Sequence, residues 1–115
     1  MKKYVTIDEQ KGKQLEISVY YSLGGYNNFY GKQERRGIYV SLQPCFVTKH
    51  PSGYVSVQCV PMDGRKMLLQ ELKRANAKKL QVWEEAVSAI VEKIGEAYKN
   101  HNFNEVVALL TSIAA

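Results

Sequence analysis

The sequence predicts an α+β fold: an antiparallel, meander-like sheet of about four strands, followed by two or three helices packed on one face. Three observations predict it. Several runs before residue 60 alternate apolar and polar residues, the two-residue period of a half-buried strand. Short turn signals containing glycine or proline join those runs. From Arg65 onward, apolar residues recur at intervals near three and four, which is the helical period. Strands first and helices after, with no crossover helix between strands, is the order of an α+β domain rather than of a parallel sheet. With 115 residues, 45% of them hydrophobic, the chain can bury one core. A single domain therefore spans 1–115, with strands within 3–60 and helices within 65–114.

Taken in order, Val5 and Ile7 alternate with Tyr4 and Thr6, and Leu15, Ile17 and Val19 alternate with Glu16, Ser18 and Tyr20. Gln10-Lys11-Gly12 between them fits a three-residue hairpin loop with glycine in the left-handed position. That register sets Ile7 opposite Leu15 and Val5 opposite Ile17. The next strand runs from Gly37 to Gln43, with Ile38, Val40 and Leu42 inward. Pro51-Ser52-Gly53 marks a second tight turn, which places Cys45 opposite Cys59 and Val47 opposite Val57. Cys45, Val47, Val55, Val57 and Cys59 then share the inward face. Inward positions are thus even-numbered before Pro44 and odd-numbered after it, a switch that a one-residue bulge at Pro44 would produce.

The helical stripe comprises Leu69, Leu72, Leu80, Trp83, Val87, Ile90, Ile94 and Ala97. Asn76 interrupts it and is suited to capping a helix. The stretch 65–99 is therefore one long helix or two that divide near Asn76. The remaining alternative is that Arg65–Leu72 continues the preceding strand and the helix begins only at Asn76. Asn102-Phe-Asn-Glu105 resembles a capping box with Asn as its cap, and a closing helix follows from Val106 to about Ile113.

No apolar run approaches the ~20 residues of a membrane-spanning helix. The start of the chain lacks the roughly 7–15-residue apolar stretch of a signal peptide. The expectation is a cytoplasmic protein with no membrane partner. Two cysteines are too few for a disulfide framework, and in a reducing compartment they are expected to be buried, inert thiols. The formal net charge is +5. Residues 1–60 and 61–82 each carry +4, whereas 83–115 carry −3. Such asymmetry fits an anionic partner. It fits equally an acidic tail that neutralises the rest within the fold or an oligomer.

Ser22–Gly37 is the longest stretch without hydrophobic periodicity, and it lies between two strand patterns. It holds Gly24, Gly25, Gly31 and Gly37, the aromatics Tyr26, Phe29 and Tyr30, and the cations Lys32, Arg35 and Arg36. Connections of this length are usually functional or disordered, and aromatics argue against disorder. The stretch reads as an ordered loop and a candidate site. The run Tyr20–Tyr39, with Gly24-Gly25-Tyr26-Asn27, then Phe29-Tyr30-Gly31-Lys32, then Arg36-Gly37, resembles a segment of small uncharacterised proteins from bacterial prophages and conjugative elements. The resemblance spans about residues 17–80 and extends into the Lys-rich part that follows. It implies a mobile-element origin, and it carries no activity and no functional residue.

Helices on one face leave the other open. By alternation that open face carries Tyr4, Thr6, Ser18, Tyr20, Tyr39, Ser41, Phe46, Thr48, Tyr54, Ser56 and Gln58. Aromatics among hydroxyls can stack single-stranded bases, with Lys32, Arg35 and Arg36 beside them for phosphates. The same composition makes a protein interface, and Tyr and Thr favour strands in any case. Arg65, Lys66, Lys73, Arg74, Lys78 and Lys79 form a basic run. If a helix begins after Asp63, its dipole disfavours Arg65 and Lys66, a conflict that a bound anion would relieve. His50 and His101 are far apart, Cys45, His50 and Cys59 lack a zinc spacing, and no phosphate-binding loop is present. The expectation is a non-enzymatic binding protein with no catalytic residue, metal or cofactor. Its nucleic-acid-binding set is Tyr20, Tyr26, Phe29, Tyr30, Lys32, Arg35, Arg36, Tyr39, Tyr54, Arg65 and Lys66. The alternative is a protein–protein interaction module or homo-oligomer that uses the same face or the long helix.

Overall fold

A computed structural model describes residues 1–27, 32–59 and 64–114, with the backbone alone at 26, 27, 32, 33 and 114. In chain order the elements are β1 (Lys2–Asp8), β2 (Lys13–Ser22), β3 (Gly25–Asn27), β4 (Lys32–Glu34), β5 (Gly37–Lys49), β6 (Val55–Cys59), β7 (Arg65–Glu71), α1 (Ala77–Ser88), α2 (Val91–Lys99) and α3 (Phe103–Ala114). The main sheet is antiparallel, in the order β1-β2-β5-β6, with β7 also on β5; β3 and β4 pair as a separate hairpin. The fold is α+β, as the sequence predicts. Val5, Leu15, Ile17, Val19, Ile38, Val40 and Leu42 alternate onto one face and meet Val87, Ile94, Val106 and Leu110 from the helices. Leu15, Ile17, Ile38, Ile94 and Leu110 are fully buried, and each such side chain contributes about 1.5–3 kcal/mol. The helices divide the sheet among them: α1 lies over β2, α2 over β1 and α3 against β7.

Strand β5 is the axis of the sheet. Residues 37–46 pair with β2 along one edge. Along the other edge, 37–42 pair with β7 and 45–49 with β6, so β6 and β7 lie end to end on the same side of β5. The backbone N–H of Val47 donates to Gly12 O on the β2 side, and that of His50 donates to Tyr54 O on the β6 side. Hydrogen-bonding direction alternates along an antiparallel strand. The nitrogen of Pro44 therefore faces the β6–β7 edge, where no described residue of either strand pairs with it. A proline sits in this central strand where, among the described residues, no ladder bond calls for the donor it lacks.

That geometry corrects the bulge expected at Pro44. β2 and β5 stay in register through Leu15↔Pro44 and Gln14↔Cys45. Alternation is unbroken, so Pro44 is buried with the core while Cys45, Val47, Val57 and Cys59 stand on the outer face, not the inner one. Phe46, Thr48, Ser56 and Gln58 accordingly lie on the helix side. The 45–59 register itself is as expected, with Gly53 left-handed at φ 86°.

The first hairpin differs by two residues: Val5 faces Leu15 and Lys3 faces Ile17. A bulge between Thr6 and Asp8 and a four-residue connection cause the shift. A slip of two preserves the faces, so the core set is unaffected. Gly12 takes φ 65°, and a Cβ there would stand 2.9 Å from Val47 O.

Residues 65–71 are a strand, the alternative reading, and not the start of a helix; helices begin only at Ala77. Asn76 caps α1 by accepting from the Lys79 N–H at 3.0 Å. A further break at Ala89-Ile90 separates α1 from α2, so the stripe through Val87, Ile90 and Ile94 bends instead of running as one rod. Asn102 accepts from the Glu105 N–H at 3.2 Å as the cap of α3, and its amide donates to the Glu105 carboxylate. The connection from α2 ends in a left-handed His101 with Asn102 N–H on Ala97 O, a Schellman arrangement.

At Gly37 the β7 backbone leaves no room for a side chain. A Cβ there would collide with Gln70 O and the Leu68 side chain, beside the bulge between Ile38 and Tyr39. Gly37→Ala should therefore lower the unfolding free energy by about 1–3 kcal/mol in urea titration. An unchanged midpoint would mean that the two strands do not approach as described.

Candidate functional site

On the outer face Tyr20 and Tyr39 are direct cross-strand partners, and their rings stack at 6.2 Å with 19° between planes. Ser41 pairs with Lys66, which brings the Lys66 ammonium 4.5 Å from the Tyr39 centroid and 5.9 Å from that of Tyr20. Glu34 of β4 closes the group with a 2.8 Å ion pair to Lys66, and the Tyr39 hydroxyl donates to Arg35 O at 2.6 Å. Tyr39 is only 6% exposed. Burial raises its pKa, helped by the Glu34 charge. Burial disfavours the Lys66 ammonium, but the hydrogen bond it donates to Glu34 and the neighbouring Tyr20 outweigh it and hold its pKa above the ordinary value. This constellation fastens β4 to the sheet. Its cation is neutralised and its central ring is covered, so it offers little stacking surface.

A second group forms at one end of the sheet. Gly37 pairs with Glu71, and Leu72 N–H donates to Arg36 O at 3.0 Å. Tyr21 from β2 donates to Leu72 O at 3.1 Å and holds the same segment. The chain leaving β7 therefore runs beside the chain entering β5, and Lys73-Arg74 join Arg35-Arg36. Two residues past Arg74, Asn76 caps α1, whose first turn carries Lys78 and Lys79 and no acidic residue. All six cations are exposed. Arg35 shares Glu71 at 3.4 Å in an exposed pair of the kind that contributes little. Lys78 and Lys79 sit where the helix dipole is positive, which disfavours cations and favours an anion. The conflict expected at Arg65 and Lys66 thus arises instead at the true N-terminus of a helix.

The expected site set divides accordingly. Tyr20, Tyr39 and Lys66 meet in the covered group, while Arg35 and Arg36 belong to the cationic end. Tyr54 stands at the tip of the β5–β6 hairpin, stacked on His50 at 5.5 Å. Arg65 lies on the helix side, 5.0 Å over the Phe103 ring, next to an apolar groove of about 200 Å³ between β7 and α3. Phe29 and Tyr30 lie outside the described residues, as do the side chains of Tyr26 and Lys32. Lys73 and Arg74 are visible in the sequence as part of a basic run, but only the β5–β7 register brings them beside Arg36.

Beyond these groups, Glu16, Cys45 and Cys59 share the outer face, with donor atoms all within 4.8 Å of one another. They are the metal-capable cluster found among the described residues. The Tyr4 hydroxyl donates to Glu16 at 2.9 Å, which raises the Tyr4 pKa. Cys45 is buried but Cys59 is exposed, so the cysteines are not both the buried thiols expected. Burial, followed by the hydrogen bond and charge of Cys59, pushes the Cys45 thiol up to about 12. No helix among the described residues is long and apolar enough to cross a membrane. No protein-family model, curated protein or solved structure matches the chain.

The Cys45 shift has a definite pH signature. Between 9.0, where the unfolded thiol loses its proton, and about 12, the folded chain binds more protons than the unfolded one. Stability is full below that window and falls as pH rises through it. Under reducing conditions, urea midpoints of the wild type should drop from pH 9 toward 12, and the gap to Cys45→Ala should narrow over the same range. Parallel curves would remove the assignment.

Proposed function

We propose that the protein is a non-enzymatic nucleic-acid-binding protein whose cationic end contacts the phosphate backbone. The observation that carries this reading is the pairing of Gly37 with Glu71, which sets Arg35-Arg36 beside Lys73-Arg74. Lys78 and Lys79 on the first turn of α1 extend the same surface. Cations concentrated from two distant segments give sequence-independent affinity for phosphates. The β3–β4 hairpin departs between Ser22 and Gly37, at this end of the sheet. Base stacking by the Tyr20–Tyr39 pair is not part of the proposal, since Tyr39 is covered. The resemblance of residues 17–80 to proteins of prophages and conjugative elements supports a mobile-element origin.

Labelled single- and double-stranded oligonucleotides of mixed sequence test the reading. Log affinity should fall linearly with log salt, with a slope of about −0.9 for each duplex phosphate contacted. Lys73→Gln with Arg74→Gln should make the slope shallower by about two and weaken binding to every sequence alike. Lys93→Gln on α2 should leave both unchanged. Absence of binding to either probe at low salt, or a slope indifferent to the double substitution, would overturn it.

One observation favours a protein partner as a second reading. Tyr54, Val55 and Val57 on the β5–β6 hairpin are 66%, 48% and 48% exposed, and two-stranded hairpins gain stability from a further surface. Sedimentation equilibrium showing self-association that Val57→Lys abolishes would support it, and a monomer at all concentrations would exclude the homo-oligomer.

A further inference from the structure

Cys45 and Cys59 are matched at the level of the backbone before their side chains are considered. In the β5–β6 hairpin the His50 N–H donates to Tyr54 O, which makes 50 and 54 a hydrogen-bonded pair. Pairs alternate along an antiparallel ladder, so the 45–59 pair is of the non-hydrogen-bonded kind. Such pairs hold their Cα atoms about 4.5 Å apart, the closest approach that a sheet offers and inside the range spanned by disulfides. The two Sγ atoms are 3.0 Å apart, with nothing between them. Two thiolates on one tetrahedral zinc ion, with Zn–S near 2.3 Å, would stand about 3.8 Å apart. The observed spacing lies between that distance and the about 2.05 Å of a sulfur–sulfur bond, and it is the close Cα approach of the 45–59 pair that suits a disulfide.

The two thiols differ in access. Cys59 is exposed, and Cys45 is wholly buried beneath the outer face. A small reagent reaches one sulfur and not the other. Burial also keeps Cys45 protonated, which suppresses direct attack by it on a reagent in solution.

We propose that Cys45 and Cys59 form a thiol–disulfide exchange site for low-molecular-weight disulfides, in which Cys59 is the attacking thiol and Cys45 the resolving one. The Cys59 thiolate attacks one sulfur of the small disulfide, forms a mixed disulfide and expels one thiolate, which takes up the proton that Cys59 released. Cys45 then attacks the Cys59 sulfur, its proton leaving with the second departing thiolate. The cross-strand bond forms as the mixed disulfide breaks. Overall two protein thiols are oxidised, and one small disulfide is reduced to two small thiols. The product pins β6 to β5 at a position where the backbone contributes no hydrogen bond.

The test uses the full chain, reduced and freed of reductant, then exposed to oxidised glutathione and followed by intact-mass and peptide mass spectrometry. Wild type should lose the mass of two hydrogen atoms and yield a Cys45–Cys59 cross-linked peptide, with no lasting adduct. Cys45→Ser should trap one glutathione on Cys59. Cys59→Ser should react at Cys45 slower than wild type reacts at Cys59 by about tenfold or more. If Cys45→Ser does not fold, acid quenching of wild type at early times replaces it, and the first adduct should be on Cys59. A lasting mixed disulfide in wild type, covalent dimers as the main product, or a first adduct on Cys45 would each overturn the proposal.

Discussion

The architecture depends on one strand having more partners than its two edges would ordinarily admit. β5 spans Gly37–Lys49, and its length allows β6 and β7 to share an edge while β2 covers the other. Pro44, which has no donor, lies between the two segments of that edge. Everything placed by β5 follows from that division. The half paired with β7 belongs to the core and is roofed by helices, whereas the half paired with β6 runs out beyond them and is largely exposed. The chain thus combines a packed body with a projecting two-stranded arm, built from the same strand.

The division also sorts the polar chemistry. Over the body, aromatic rings and a lysine on the outer face turn toward one another and toward Glu34, so that charge is spent internally. At the end of the body, where β5 begins and β7 finishes, side chains leave the sheet without acidic neighbours in equal number, and their charge remains directed at solvent. An aromatic sheet face and a basic loop suggest one continuous surface in the sequence. In the folded chain the two are distinct, and the charge lies with the loop ends and the helix start.

How much of this was legible depended on whether a local signal existed. Pro51-Ser52-Gly53 has one preferred geometry, and the Cys45↔Cys59 register read from it is the one observed. Around Gly12 the glycine conformation was legible, but a bulge near Ile7 was not, since nothing in Thr6-Ile7-Asp8 marks it. In β7 the bulge at the Ile38/Tyr39 step interrupts the period of two, and Leu69 and Leu72 then fall at a helical interval. A strand with a bulge imitates a short helix in any reading based on period. The break at Ala89-Ile90 carries neither proline nor glycine, so only packing over two different strands reveals it. Pro44 was legible as a disturbance, but β5 keeps its register with β2 straight through it. The cationic end was illegible for a simpler reason: its two halves are brought together only by a long-range strand pairing.

That long-range pairing orders the assembly of the molecule in time. The β1–β2 and β5–β6 hairpins close over short connections, whereas Gly37 must find Glu71 across all of the intervening chain. Loop-closure entropy grows with the length enclosed, and contacts of high sequence separation form late. The surface that gathers Arg36 and Lys73 is consequently absent from any partly folded form in which only the hairpins have closed. A chain emerging from synthesis would hold its cations on separate segments until β7 docks, and only the finished fold would present them as one surface.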